Sequence, residues 1–161
     1  MDEYFWCIGG GLLQRPVIDA ARELGLKVIV TDGSNQCFCK EDADIFFQID
    51  IFDIVGHINL ARDLKQKIKI KGVLAAGIDA PVTMSKLCEF LSLPGVSSFI
   101  SEKVHNKFKF RQFSQENNIS TPKYHIYKEN DLTNLSNILD TYELPFIIKN
   151  VDSSGSRGTK K

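Results

Sequence analysis

The feature that most restricts this chain is a rhythm in its first hundred residues. Short β-branched runs alternate with amphipathic stretches, and glycine or aspartate sits at the joins. Residues 4–8 form an apolar run ending in Gly9-Gly10-Gly11, the pattern of a buried parallel strand entering a turn. Val17, Ile18, Ala21 and Leu24 then recur at helical spacing, and Gly25 stops that helix. Residues 27–31 (KVIVT) read as a second strand closed by Asp32-Gly33, and residues 34–44 are polar and irregular. A third strand is expected over 45–49, an amphipathic helix over 54–67 and a fourth strand over 72–76. A helix over 80–91 ends at Leu93-Pro94-Gly95. Strands and helices joined this briefly predict an α/β fold, a parallel sheet covered on both faces by right-handed crossovers.

After Pro94-Gly95 the rhythm changes. Residues 101–118 make a charged helical stretch with Val104, Phe108, Arg111 and Gln115 roughly on one face, and Thr121-Pro122 breaks it. Residues 124–127 alternate like an exposed antiparallel strand. Residues 131–139 look helical, with Asp131 as N-cap. Residues 145–149 (PFIIK) read as a strand that opens into a polar loop, residues 150–158. The expected organisation is a domain over 1–104 followed by an interrupted domain over 105–161. The second piece is small for an independent core and stops on a loop that a further strand would normally follow. Part of its apolar surface is therefore expected to stay exposed, or to be covered by another copy of the chain as a homodimer.

Composition removes several classes. Among 161 residues, 20 basic side chains balance 20 acidic ones, so no global field recruits nucleic acid or an anionic membrane. No apolar run approaches the roughly 20 residues that span a bilayer. The acidic start, Met1-Asp2-Glu3, lacks the basic region of a secretory signal. Four cysteines without a Cys-x-x-Cys pair read as reduced thiols. The expected compartment is the cytoplasm. Cys37-Phe38-Cys39 is a weak candidate for a soft metal, and His57, His105 and His125 show no spacing of a triad or metal set, each reading as a surface or partly buried side chain.

Three features carry possible chemistry. The glycine turn places backbone N–H groups at a helix start, and Asp32 ends strand two where a dinucleotide fold holds a ribose. Gln14 stands where the third glycine of G-x-G-x-x-G belongs, so a tight βα turn without cofactor competes with a dinucleotide site. Asp79, in Gly77-Ile78-Asp79-Ala80, is either a substrate contact or a helix N-cap. The second feature is Asp152-Ser153-Ser154-Gly155-Ser156-Arg157-Gly158. Its glycines permit positive φ, letting N–H groups converge on phosphate oxygens, and Arg157 adds a planar cationic donor. Lys149 ends the strand before it, and a flexible surface turn is the plain alternative. The third feature, residues 106–111 (NKFKFR), is a solvated basic face unless a phosphate-binding loop folds back over Lys107.

Taken in order, these segments resemble an ATP-grasp enzyme of the branch that includes carbamoyl-phosphate synthase and other carboxylate–amine ligases. The carrying residues are Gly9-Gly10-Gly11 with Gln14 and Asp32, a helix beginning at Asn106-Lys107 with Arg111 one turn on, Thr121-Pro122, and the PFIIK strand with its loop. The resemblance implies a Rossmann-like pre-ATP-grasp domain with a parallel sheet, then the start of an α+β ATP-grasp domain. It implies Lys107 and Lys149 as basic ATP contacts and Ser153, Ser154, Gly155, Ser156, Arg157 and Gly158 as the loop over the β- and γ-phosphates. Gly10, Gly11 and Asp79 are candidate substrate contacts. Asn150 stands where a proline commonly follows the lysine, and Thr159 where valine is common.

The family's adenine hinge, ribose acid, Mg²⁺ ligands and catalytic arginine all follow the glycine-rich loop and are not among these residues. The resemblance therefore implies an N-terminal fragment of a ligase acting through an acylphosphate, inactive alone, whose cofactors in the complete enzyme are ATP and Mg²⁺. Its carboxylate substrate and nucleophile are not legible. A nucleotide- or small-ligand-binding Rossmann-like module without catalysis is the alternative. An NAD(P)-dependent oxidoreductase ranks behind it, because residue 14 breaks the fingerprint.

Overall fold

The computed structural model describes residues 2–128, 145–153, 155, 158 and 159. The helix expected over 131–139 and the loop residues Ser154, Ser156 and Arg157 lie outside the described residues. The chain divides into two compact units, 1–101 and 102–161.

The first unit is a four-stranded parallel sheet. β1 is Glu3–Ile8, β2 Lys27–Asp32, β3 Ile45–Gln48 and β4 Lys69–Leu74, in the order β3-β2-β1-β4. Between them run α1 (Arg15–Glu23), preceded by a short 3-10 turn at Leu12–Gln14, and α2 (Ile54–Leu64). α3 (Pro81–Leu91) follows β4. The two-residue period of a strand sorts β1 between two cores. Trp6 and Ile8 join Ile29, Ala61, Leu64 and Leu87 in one, whereas Cys7 joins Ile18, Ala21, Val28 and Val30 in the other. The α/β reading of the sequence holds, and every strand ends at the same edge of the sheet.

Differences from the expected boundaries have local causes. β4 begins at Lys69, just past the helix expected over 54–67 and ahead of the strand expected over 72–76. Its Lys-Ile-Lys alternation is that of an edge strand with lysines outward, a device that discourages pairing with another chain. Lys69 Nζ sits 2.7 Å and Lys71 Nζ 3.6 Å from Glu3 Oε1 on neighbouring β1. Asp79 does not cap α3: Ala80 holds that position and a proline enters the first turn, where its missing N–H goes unmissed.

In the second region, the stretch read as one helix is two. α4 (Ser98–His105) stops and α5 (Lys107–Glu116) starts at Asn106, whose side chain accepts from the Lys109 N–H at 3.0 Å. An asparagine that can satisfy an orphan helix donor starts a new helix more readily than it continues an old one. Residues 124–127, expected as a strand, are irregular. Side chains tie this segment to α5 in place of a ladder: Tyr124 Oη donates to Gln115 Oε1 at 2.8 Å, and its ring meets Phe108 edge-on at 6.0 Å. Arg111 Nη1 donates to Thr121 Oγ1 at 3.0 Å. Of residues 145–149, only Ile148 makes a β-bridge. Phe110, Ile119, Ile147 and Ile148 are exposed.

Candidate functional site

Two places in the fold carry groups singled out by the sequence, one in each unit. In the first unit, the glycine turn leaves β1 with Gly9 at φ +89° and its N–H on the Thr31 carbonyl at 2.7 Å. The Asp32 carboxylate is occupied by this turn: one oxygen accepts from Gly10 N–H and the other from Ser34 N–H, both at 2.8 Å. A carboxylate held in that way closes a turn and does not present itself to a ribose.

The connection after β2 folds over the same turn. Cys39 N–H donates to the Gly10 carbonyl at 2.7 Å, and its thiol to the Gly11 carbonyl at 3.2 Å. A Cβ on Gly10 would lie 2.5 Å from Cys37 Sγ, so glycine here is a packing requirement. Gln14 is buried and its amide donates to the Ala76 carbonyl, joining the β1 turn to the end of β4. The residue that breaks the dinucleotide fingerprint thus has a structural job. Gly10 and Gly11 lie at the carboxyl edge of the sheet, but the Gly10 N–H and both of their carbonyls are committed within the protein.

The cysteines are free. Burial, assisted by neighbouring Cys39, pushes the Cys7 thiol up to about 12. Burial foremost, then Asp32, raises Cys37, and burial with Asp42 raises Cys39. Raised in this way, the thiols carry little of the reactive thiolate form at neutral pH. Among the described residues no group of three or more His, Cys, Asp or Glu is arranged around a metal position.

In the second unit, Lys107 opens α5. Its backbone N–H donates to the Val151 carbonyl at 2.7 Å and its ammonium donates to the Ser153 carbonyl. The first turn of α5 contains no acidic residue, and Lys107, Lys109 and Arg111 crowd its start. Cations there oppose the helix dipole, which favours negative charge at an N-terminus. The combination of helix start and ammonium instead suits an anion. Downstream, Gly155 has φ +62° with open space where a Cβ would be. Gly158 has φ +70°, and a Cβ on it would come within 2.6 Å of Asn150 Nδ2. The structure therefore brings Lys107 against residues 151 and 153, and Gly158 against Asn150. Lys149 is exposed at the end of the PFIIK run. An ammonium, a helix start and two left-handed glycines fit a polyphosphate, whereas the described residues offer no set of ligands for Mg²⁺.

Sequence reasoning missed the polar network under the sheet. His57, read as a surface or partly buried side chain, is fully buried. Its Nδ1 lies 2.8 Å from the Asp53 carbonyl, its Nε2 3.0 Å from Thr31 Oγ1, and Trp6 Nε1 donates to the same Oγ1 at 3.0 Å. A carbonyl only accepts, so Nδ1 carries the proton and Thr31 donates to Nε2. Burial foremost lowers the His57 pKa, against an opposing pull from Asp53. The residue at i−4 supplies the carbonyl, and a histidine on the inward face of α2 was the only available sign.

The chain was compared with known proteins. No family model matches it, and no curated protein matches it significantly. Solved structures do. Carboxyaminoimidazole ribonucleotide synthase from Aspergillus clavatus, complexed with ATP, aligns over 98% of this chain and 41% of its own, with TM-score 0.75 and 18% identity. Phosphoribosylglycinamide synthetase from Anaerococcus prevotii aligns over 94% and 38%, with TM-score 0.69 and 24% identity. L-amino acid ligase from Bacillus licheniformis aligns over 95% and 38%, with TM-score 0.68 and 20% identity. The fold is that of the N-terminal part of these enzymes. The resemblance to ATP-grasp enzymes thus holds at the level of fold, and the chain spans about two fifths of the length of the structures it matches. None of the described helices is long and apolar enough to cross a membrane.

Proposed function

We propose that this chain is the N-terminal part of an ATP-dependent carboxylate–amine, or carboxylate–thiol, ligase of the cytoplasm that works through an acylphosphate. Residues 1–104 form its Rossmann-like domain and 105–161 the opening part of its ATP-grasp domain. Lys107, Lys149 and the loop Ser153, Ser154, Gly155, Ser156, Arg157 and Gly158 contribute to the nucleotide's polyphosphate. Gly10, Gly11 and Asp79 line the side from which a carboxylate substrate is approached. Mg²⁺ and the groups that stabilise the transferring charge belong to the remainder of the enzyme, so this chain by itself transfers no phosphoryl group.

One observation carries the reading: Lys107, at the start of a helix with no acid in its first turn, is bonded to the base of a loop whose glycines adopt positive φ. Three structural neighbours bear nucleotides, one with ATP and two N5-carboxyaminoimidazole synthetases with ADP, which supports the choice of ligand. Isothermal titration of the chain with Mg-ATP and with NADH tests it. The expected result is weak binding of Mg-ATP in preference to NADH. NADH binding tighter than Mg-ATP overturns the reading in favour of a dinucleotide site at the glycine turn.

A further inference from the structure

A lysine that merely waits for a phosphate would be expected to point into solvent. Lys107 does something else. Its N–H and its ammonium take the carbonyls of Val151 and Ser153, flanking the bend at Asp152. The ammonium spans 46 positions of sequence to do so. Three positions further on, Gly155 holds φ +62° with nothing within 4 Å of where a side chain would start, so packing there does not restrain it.

We propose that Lys107 is a positioning residue: it braces the base of the serine- and glycine-containing loop by gripping two backbone carbonyls, and so fixes the direction in which the loop leaves residue 151. The placement also answers an energetic oddity. A cation at the first position of α5 opposes the helix dipole, and two carbonyl oxygens supply the local negative potential that the helix start lacks in acidic side chains. The functional meaning of the brace rests on the ATP reading above, but its existence does not.

Amide hydrogen exchange on the 161-residue chain without nucleotide tests the brace, comparing wild type, Lys107→Met and Lys107→Arg. Losing the charge-assisted hydrogen bond should accelerate exchange at the residue-107 amide, which donates to the Val151 carbonyl, about tenfold in Lys107→Met. Lys107→Arg, which keeps a donating cation, restores most of the protection. Unchanged exchange in Lys107→Met overturns the proposal. Acceleration spread evenly along α5 also overturns it, because the lysine would then be supporting its own helix. A parallel titration with Mg-ATP and with NADH separates the two claims. If wild type binds NADH more tightly than Mg-ATP while the exchange difference persists, the ligase reading falls and the brace stands. If Lys107→Met loses Mg-ATP binding with unaltered exchange, Lys107 is a direct phosphate contact and the brace falls.

Discussion

Replacing Thr31 by valine removes one hydroxyl from a fully buried site while nearly preserving shape. That hydroxyl accepts from Trp6 Nε1 and donates to His57 Nε2, each at 3.0 Å, and Trp6, Thr31 and His57 are all fully buried. Valine therefore leaves a buried donor and a buried acceptor without partners. At about 1–3 kcal/mol for each of the two unsatisfied groups, the expected loss is about 2–6 kcal/mol. Small domains have only about 5–15 kcal/mol of stability, so this is a substantial fraction. Trp6 is the sole tryptophan and lies inside the network, so urea unfolding followed by its fluorescence reads the effect directly. The midpoint should fall with an unchanged slope, the sign of lost stability in an otherwise intact native state. A change below about 0.5 kcal/mol, the range of an ordinary surface substitution, would refute the reasoning.

His57 is held neutral with its pKa lowered by burial, whereas in the unfolded chain it titrates near about 6.5. The unfolded state thus binds the extra proton first, and stability falls as pH drops below that value until the folded-state pKa is reached; urea midpoints from pH 7.5 to 5 should show this slope, and His57→Gln should flatten it. Gly10→Ala sets a Cβ 2.5 Å from Cys37 Sγ and 3.1 Å from Val30 Cγ1. Overpacking of that kind destabilises by about 1–3 kcal/mol, and adding Cys37→Ala should recover part of it, with no recovery contradicting the contact. A thiol reagent at neutral pH should leave Cys7 unlabelled until urea unfolds the chain, because its pKa is pushed to about 12 and thiolate is the reactive form.

The sheet was legible because its strands differ in composition from everything around them. KVIVT can hardly be anything but a buried strand, and the glycines after Ile8 mark a turn whatever its use. The start of the edge strand was not, because Lys-Ile-Lys lacks the β-branched run of its neighbours, and only its pairing with Glu3 and Tyr4 shows that the strand begins there. Asn106 illustrates a related limit: a capping residue is visible in sequence, but whether it interrupts a charged helix depends on where the chain must go next. The glycine turn was located correctly, yet nothing in Gly9-Gly10-Gly11 showed that Asp32, Cys37 and Cys39 would close over it. Those contacts come from residues more than twenty positions away. His57 was misread for the same reason, since its partner Thr31 sits on β2, 26 positions away. At the other candidate site, the order of lysine, serines and glycines suggested phosphate chemistry, while the hold of Lys107 on Val151 and Ser153 is a tertiary fact.

The central claim is that a polyphosphate binds where Lys107 meets the loop. Backbone amide shifts of the ¹⁵N-labelled chain under a Mg-ATP titration address it directly, even at weak affinity. The account predicts the largest shifts at Lys107, Ser153, Gly155 and Gly158, with Gly9, Gly10 and Ser34 unmoved. Shifts concentrated at the glycine turn, with residues 107 and 153–158 silent, would contradict it.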